Sequence, residues 1–297
     1  MADAKLIKQL RDMTQAGFLD CKKALEECHD NLDAAVKHLR EKGLARAAKK
    51  AGAIAAEGAV LVVKKDNVAV IAEINSQTDF AAKNENFVNL TNQIMVTLLN
   101  TQATDLESAK NLTIAGGNET INSACEALTG KIGEKISLRR LQRVVAQPGQ
   151  DIGIYQHANK KYASLVLFDK TADEQLKKNI AMHVVAMNPK FVDSTQVDSG
   201  FIKIEKDLLL KAAEVNPKFK GKPAAFIETI VGKQLEKRLA EVCLVNQEYD
   251  YEPGAKVGQI LNKNGIKVLS FIRYEVGEGI EKKQSDFAAE VAEQMGK

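Results

Sequence analysis

Two stretches of this chain place apolar runs on either side of a tight polar turn, and both are followed by a helical segment and a further strand. Val60-Leu61-Val62-Val63, the turn Lys65-Asp66-Asn67 and Val68 to Ile74 make the first; Ile152 to His157, a turn at Asn159-Lys160 and Ala163 to Phe168 make the second. Short aliphatic runs broken by polar turn residues predict β-hairpins. A lone hairpin is marginal in water, so each needs a third strand and a covering helix. The chain supplies both twice. After the first hairpin come a helix from about Asn84 (Phe87, Leu90, Ile94, Leu98), another from about Asn118 (Ile121, Cys125, Leu128, Ile132) and an alternating strand from Leu138 to Ala146. After the second come a helix with Leu176, Ile180 and His183-Val184 and a strand from Leu269 to Val276. The same order of elements used twice predicts a duplicated α+β core with small antiparallel sheets.

Around this core the period is helical. Leu6, Leu10 and Met13, then Ala24, Leu25 and Cys28, then Leu32, Ala35, Val36 and Leu39 predict a three-helix bundle whose last helix ends at Gly43. Arg46 to Ala56 reads as a linking helix or tether. Between the second unit's helix and its last strand, Phe201, Ile204, Leu208, Ala212 and Val215 share one face, Asn216-Pro217 interrupts, and Ile227, Ile230, Gln234, Arg238 and Val242 resume. This predicts an antiparallel helical hairpin over about 198–245. Asp286 to Met295 predicts a C-terminal helix, with Phe287, Val291 and Met295 in register.

Few chemistries fit the residues available. With 42 Lys+Arg against 39 Asp+Glu in 297 residues, a net charge of +3 argues against a protein that coats nucleic acid. Aromatic residues are only 5%, so the cores must be aliphatic. The four Cys (21, 28, 125, 243) form no C-x-x-C pair and are too sparse for a disulfide scaffold. No apolar run approaches the roughly 18 residues that span a bilayer, and Met1 to Lys5 shows no targeting character, so the expected location is the cytoplasm. The phosphate loop is absent, since Cys125 stands where Gly130-Lys131 would require glycine. Gly277-Glu278-Gly279 lacks a third glycine, and neither H-E-x-x-H nor G-x-S-x-G occurs. No metal or cofactor site is expected, and no enzyme constellation assembles. His183, within Ala181 to Val185, reads as a core histidine. Arg139, Arg140 and Arg143 interleave with a strand and read as a solvated face; their other use would be RNA or ribosome contact.

One segment is awkward. After the strand ending at Ile74, Asn75-Ser76-Gln77-Thr78-Asp79-Phe80-Ala81-Ala82-Lys83-Asn84 leaves a large apolar ring beside an acid in a polar loop. Either Thr78 or Asp79 caps a short helix and Phe80 tucks inward, or a stiff turn pushes a carboxylate and a ring into a partner. The sequence leaves both open, and they are compatible.

Thr78-Asp79-Phe80-Ala81-Ala82-Lys83-Asn84 resembles the T-D-F-V-A-[KR]-[ND] segment of bacterial elongation factor Ts, the guanine nucleotide exchange factor of elongation factor Tu. Collinear matches accompany it: Thr14 to Leu25, Ala47 to Gly52, Lys131-Ile132-Gly133-Glu134, Tyr155-Gln156-His157, Ala181-Met182-His183 and Phe271 to Lys282. The resemblance implies a ubiquitin-associated-like three-helix domain and linker (1–55), core subdomains at 56–147 and 148–283, and a C-terminal helical module (284–297). It implies no covalent chemistry and no cofactor. Thr78, Asp79, Phe80 and Ala81 would intrude beside the magnesium site of elongation factor Tu, in its GDP-bound and nucleotide-free states. His157 would touch the partner from the second subdomain, and Lys8, Arg11, Phe18 and Leu19 would grip one of its surface helices. No nucleic acid or membrane contact is implied. Three departures stand out: Phe18-Leu19 replace two Met, the smaller Ala81 replaces Val and would fill a partner groove less well, and Ser76 replaces a frequent Cys.

Overall fold

The computed structural model describes residues 3–14 and 16–281; the helix expected within 284–297 lies outside the described residues. The chain divides into two compact units, one made of 1–61, 72–142 and the segment from Tyr274, the other of 62–71 and 143–273. Among the described residues there are eleven α-helices and two three-stranded antiparallel sheets, the α+β class expected.

The first three helices, α1 (Ala4–Thr14), α2 (Phe18–Glu27) and α3 (Leu32–Lys50), close on Ile7, Leu10, Cys21, Ala24, Leu25 and Ala35. His29 and Asp30 take left-handed φ values of 53° and 61°, and the Asn31 side chain then accepts from the Ala34 N–H at 3.0 Å to start α3. The expected end at Gly43 is corrected: α3 continues through it to Lys50. Glycine there does not stop the helix; it lets another backbone come close. A Cβ on Gly130 would lie 2.4 Å from the Gly43 carbonyl oxygen. Beyond the crossing, Arg46 donates to both Asp20 oxygens (3.0 and 3.3 Å) and Ala47 is buried, so of the segment read as a linking helix or tether the first part, Arg46 to Lys50, is the end of α3.

The core follows as β1 (Glu57–Lys65), β2 (Val68–Ser76), α4 (Asp79–Lys83), α5 (Glu85–Asn100), α6 (Leu106–Lys110), α7 (Ile121–Ile132) and β3 (Ser137–Val145), with sheet order β1-β2-β3. Phe87, Leu90, Ile94 and Leu98 are all buried on α5, as their spacing predicts. The helix expected from Asn118 starts at Ile121, because the Ile114 N–H bonds to the Glu119 carbonyl (2.9 Å) and Thr113 bridges Thr120 before Thr120 caps α7. Burial pushes the Cys125 thiol up to about 12, which fits an inert core residue.

The second sheet repeats the plan: β4 (Asp151–Gln156), β5 (Tyr162–Phe168), α8 (Glu174–Met187) and, after an insertion, β6 (Val268–Glu275), in order β4-β5-β6. Ile152 faces Leu167 and Ile154 faces Leu165 across antiparallel strands. The insertion holds α9 (Ser199–Val215), α10 (Ala224–Val242) and α11 (Val257–Lys263). Along α9 the shared face is only thinly covered: Ile204, Leu208 and Val215 are exposed, whereas Ala213 is buried. The hairpin's base is fastened by Lys190 N–H to Val242 carbonyl (2.8 Å) and Leu244 N–H to Phe191 carbonyl (2.9 Å). His183 is buried with its Nε2 3.1 Å from Gln247 Oε1, and burial lowers its pKa; it is a core residue, as read.

The crossing at Gly130 predicts an asymmetry. Gly130→Ala should lose about 1–3 kcal/mol in urea unfolding through overpacking. Gly43→Ala, whose Cβ would meet only the Gly130 Cα at 3.8 Å, should be neutral or gain up to ~1 kcal/mol in helix propensity. A second prediction concerns acid. Asp151 takes bonds from Lys177 and, at 3.0 Å, from Lys64; burial opposes its charge, yet these two ammonium groups hold its pKa near 2, below the usual 3.8. Its stabilisation is therefore complete above pH 3.8 and fades as pH falls towards 2. Asp151→Asn should cost roughly 2 kcal/mol at pH 7, with the gap between the two unfolding curves closing below pH 3.

Candidate functional site

β2 carries the chain from the sheet into the awkward loop. Thr78 is the N-cap of α4, its hydroxyl accepting from the Ala81 N–H at 3.2 Å. The turn also includes a bond from Ser76 Oγ to the Thr78 carbonyl at 2.9 Å. The cap reading is therefore right for Thr78, but Phe80 does not tuck inward: it is 80% exposed. Ala81 takes the inward position at 4% exposure, so its small size is felt inside the fold. Asp79 lies beside the ring, paired to Lys83 Nζ at 2.7 Å, and the same ammonium stands 5.9 Å from the Phe80 ring centre. The loop thus presents a ring and a carboxylate on a five-residue helical turn.

The turn is held from the far end of α7. Gly133 takes φ 83° and ends that helix, and the next residue, Glu134, accepts from the Thr78 N–H (3.0 Å) and hydroxyl (2.9 and 3.0 Å). The Lys135 N–H donates to Gln77 Oε1 at 2.9 Å.

Below the loop, Glu73 on β2 is fully buried. It accepts from Arg139 Nη1 (3.0 Å to each oxygen), Arg140 Nε, the Asn75 amide (2.9 Å) and the Gly277 N–H (2.7 Å). Burial pushes its pKa up, but the Gly277 N–H, Asn75 and Arg140 outweigh it and hold the carboxyl below its usual value. The reading of Arg139 and Arg140 as a solvated face is corrected. Both serve Glu73; Arg139 also donates to the Glu278 carbonyl (2.6 Å), and Arg140 stacks 4.0 Å over the Tyr274 ring. Two of the three arginines of that face are thus paired to a buried carboxylate.

The other expected residues are found at two further places. Lys8 and Arg11 are exposed on α1, while Phe18 (54%) and Leu19 (69%) stand uncovered at the first turn of α2. Met13, expected on the core face with Leu6 and Leu10, is corrected: it is exposed and takes no part in the bundle's core. In the other unit, His157 is half-buried; its Nδ1 lies 2.8 Å from Asn159 Oδ1, and Tyr155 and Tyr162 meet its ring edge-on at 6.2 and 5.9 Å. Glu73 and Glu134 are the residues that sequence reasoning misses. For Glu134 a signal exists, an acid directly after a helix-ending glycine; for Glu73, inside an apolar strand, the signal is its isolation. Among the described residues no group of three or more His, Cys, Asp or Glu is arranged to hold a metal ion, and no helix is long and apolar enough to cross a membrane.

Comparison with known proteins sets this architecture among translation elongation factors: the sequence model of the family described as Elongation factor TS matches residues 77–278, beginning just before the Phe80 turn. Elongation factor Ts of Malacoplasma penetrans (strain HF-2) is 45% identical over 297 residues, covering 99% of each chain. That of Mycoplasmopsis pulmonis (strain UAB CTIP) is 46% identical over 294 residues (99% of this chain, 98% of the relative), and that of Spiroplasma citri 41% over 292 residues (98% of each). The chain belongs to the elongation factor Ts family.

The exposure of Phe80 predicts that stability and surface function separate. Phe80→Ala should shift the unfolding free energy by less than about 0.5 kcal/mol. Phe87→Ala, seven residues on and 1% exposed, should cost about 3–5 kcal/mol. Parallel denaturant titrations measure both.

Proposed function

We propose that this chain is a cytoplasmic guanine nucleotide exchange factor that binds elongation factor Tu in its GDP-bound and nucleotide-free states and speeds GDP release. The observation that carries the reading is Phe80: a large ring kept 80% exposed on a capped turn, although aromatic residues are scarce in the chain. An exposed apolar side chain on a stiffened support is suited to insertion into a protein groove.

The mechanism is displacement without covalent chemistry. Asp79 and Phe80 enter beside the partner's magnesium site and shift the elements that ligate Mg²⁺ and the phosphates, with Thr78 and Ala81 shaping the turn behind them. Nucleotide affinity rests largely on that ion and on amides cradling the phosphates, so a small displacement weakens GDP. Coupling is reciprocal: the factor binds the nucleotide-free partner best, and nucleotide binding weakens the factor in turn. GTP then completes the exchange. Residues 1–55 act as an anchoring module through Lys8, Arg11, Phe18 and Leu19, and His157 contributes a contact from the second core subdomain.

The test is release of a fluorescent GDP from elongation factor Tu. Wild type should accelerate it, and Asp79→Ala/Phe80→Ala should abolish most of the acceleration, by at least about tenfold, as expected for loss of an interface anchor. Unchanged release with the double variant would remove the insertion mechanism.

A further inference from the structure

We propose that Glu134 is the positioning residue of the Phe80 turn, holding it in its inserting geometry before any partner arrives; this rests on the exchange function proposed above. Both of its oxygens are engaged by one residue. Oε2 takes the Thr78 N–H at 3.0 Å, and the Thr78 hydroxyl lies 3.0 and 2.9 Å from Oε1 and Oε2. A hydroxyl has one proton and two lone pairs. Donating that proton to Glu134 leaves a lone pair aimed at the Ala81 N–H, 3.2 Å away, so the carboxylate fixes the rotor on which the helix cap depends. Charge assistance makes this the strong link in the turn.

The hold is bilateral. Lys135, next in the chain, donates its N–H to Gln77 Oε1 at 2.9 Å, so residues 134 and 135 grip 77 and 78. On the other side of the turn, Lys131 Nζ reaches Asn86 Oδ1 at 2.9 Å. The C-terminal end of α7 therefore fastens the chain before and after residues 79–85. α4 has only five residues, too few to order itself in water, and so it depends on these ties. Gly133 makes the geometry possible, since its left-handed φ of 83° turns Glu134 back from the end of the helix. With the turn ordered during folding, the entropic cost of fixing it does not fall on insertion.

The experiment uses the full chain and GDP release at saturating factor. Glu134→Ala should slow release about tenfold, the scale of a lost charge-assisted hydrogen bond, with Glu134→Gln intermediate because it keeps one acceptor. In the Asp79→Ala/Phe80→Ala background the same change should add less than about twofold, since coupled residues are non-additive. Hydrogen exchange at the Ala81 amide, read without partner, should quicken in Glu134→Ala. If circular dichroism shows that Glu134→Ala does not fold, Gln77→Ala serves, with a smaller loss in the same direction. Wild-type release by Glu134→Ala beside a slow Asp79→Ala/Phe80→Ala overturns the proposal, as does a full multiplicative loss in that background. If Asp79→Ala/Phe80→Ala is itself unaffected, the exchange reading falls and this role in it falls too; the Ala81 exchange rate still reports whether Glu134 holds the turn.

Discussion

A carboxylate with no exposed surface sits on β2 at the root of the Phe80 turn, and residues from three segments of the first unit make it tolerable. Glu73 would cost several kcal/mol if buried alone. Its oxygens are instead filled from three directions: Asn75 on its own strand, Arg139 and Arg140 on β3, and the Gly277 N–H just past β6. The same carboxylate thus joins β2, which leads into the Phe80 turn, to β3 and to the segment after β6. Gly277 itself has no room for a side chain, because a Cβ would lie 2.3 Å from the Ala56 carbonyl oxygen. Charge and backbone packing therefore fix the root of the loop together.

What could be read from the sequence was whatever depends on near neighbours. The two hairpins, the buried faces of α5 and α7 and the bundle all follow from local period and turn chemistry, and the structure has them. Gly43 was misleading because glycine has two uses, ending a helix or admitting a neighbour, and only the position of Gly130 decides between them. The arginines of β3 were misread for the same reason, since their partner lies 66 residues away in a strand that looks uniformly apolar. α11 has too short a period to signal at all, with three buried residues in two turns. For the site, Asp79 and Phe80 were visible as an anomaly and through family resemblance. The outward direction of the ring was not, because it depends on Glu134, 56 residues beyond Thr78.

The most exposed large apolar residues of the first unit fall in two short segments. In that unit they are Phe80 and, close together in sequence, Met13, Phe18 and Leu19; Leu44, Ile54 and, on α5, Val96 are exposed to a lesser degree, while the interior of the bundle is closed. A chain with so few aromatic residues has left two rings, Phe18 and Phe80, more than half exposed. Such a distribution is expected when surface recognition, and not the core, sets the choice of residue.

The backbone contact between Gly43 and Gly130 has a mechanical meaning as well as a steric one. Where side chains meet, a change of rotamer can absorb a small displacement; where main chain meets main chain, there is no such cushion. α3, which belongs to the bundle bearing Phe18 and Leu19, is seated without compliance on the C-terminal end of α7, just before Glu134. Both exposed apolar groups are consequently referenced to one helix, as two jigs are to a common datum.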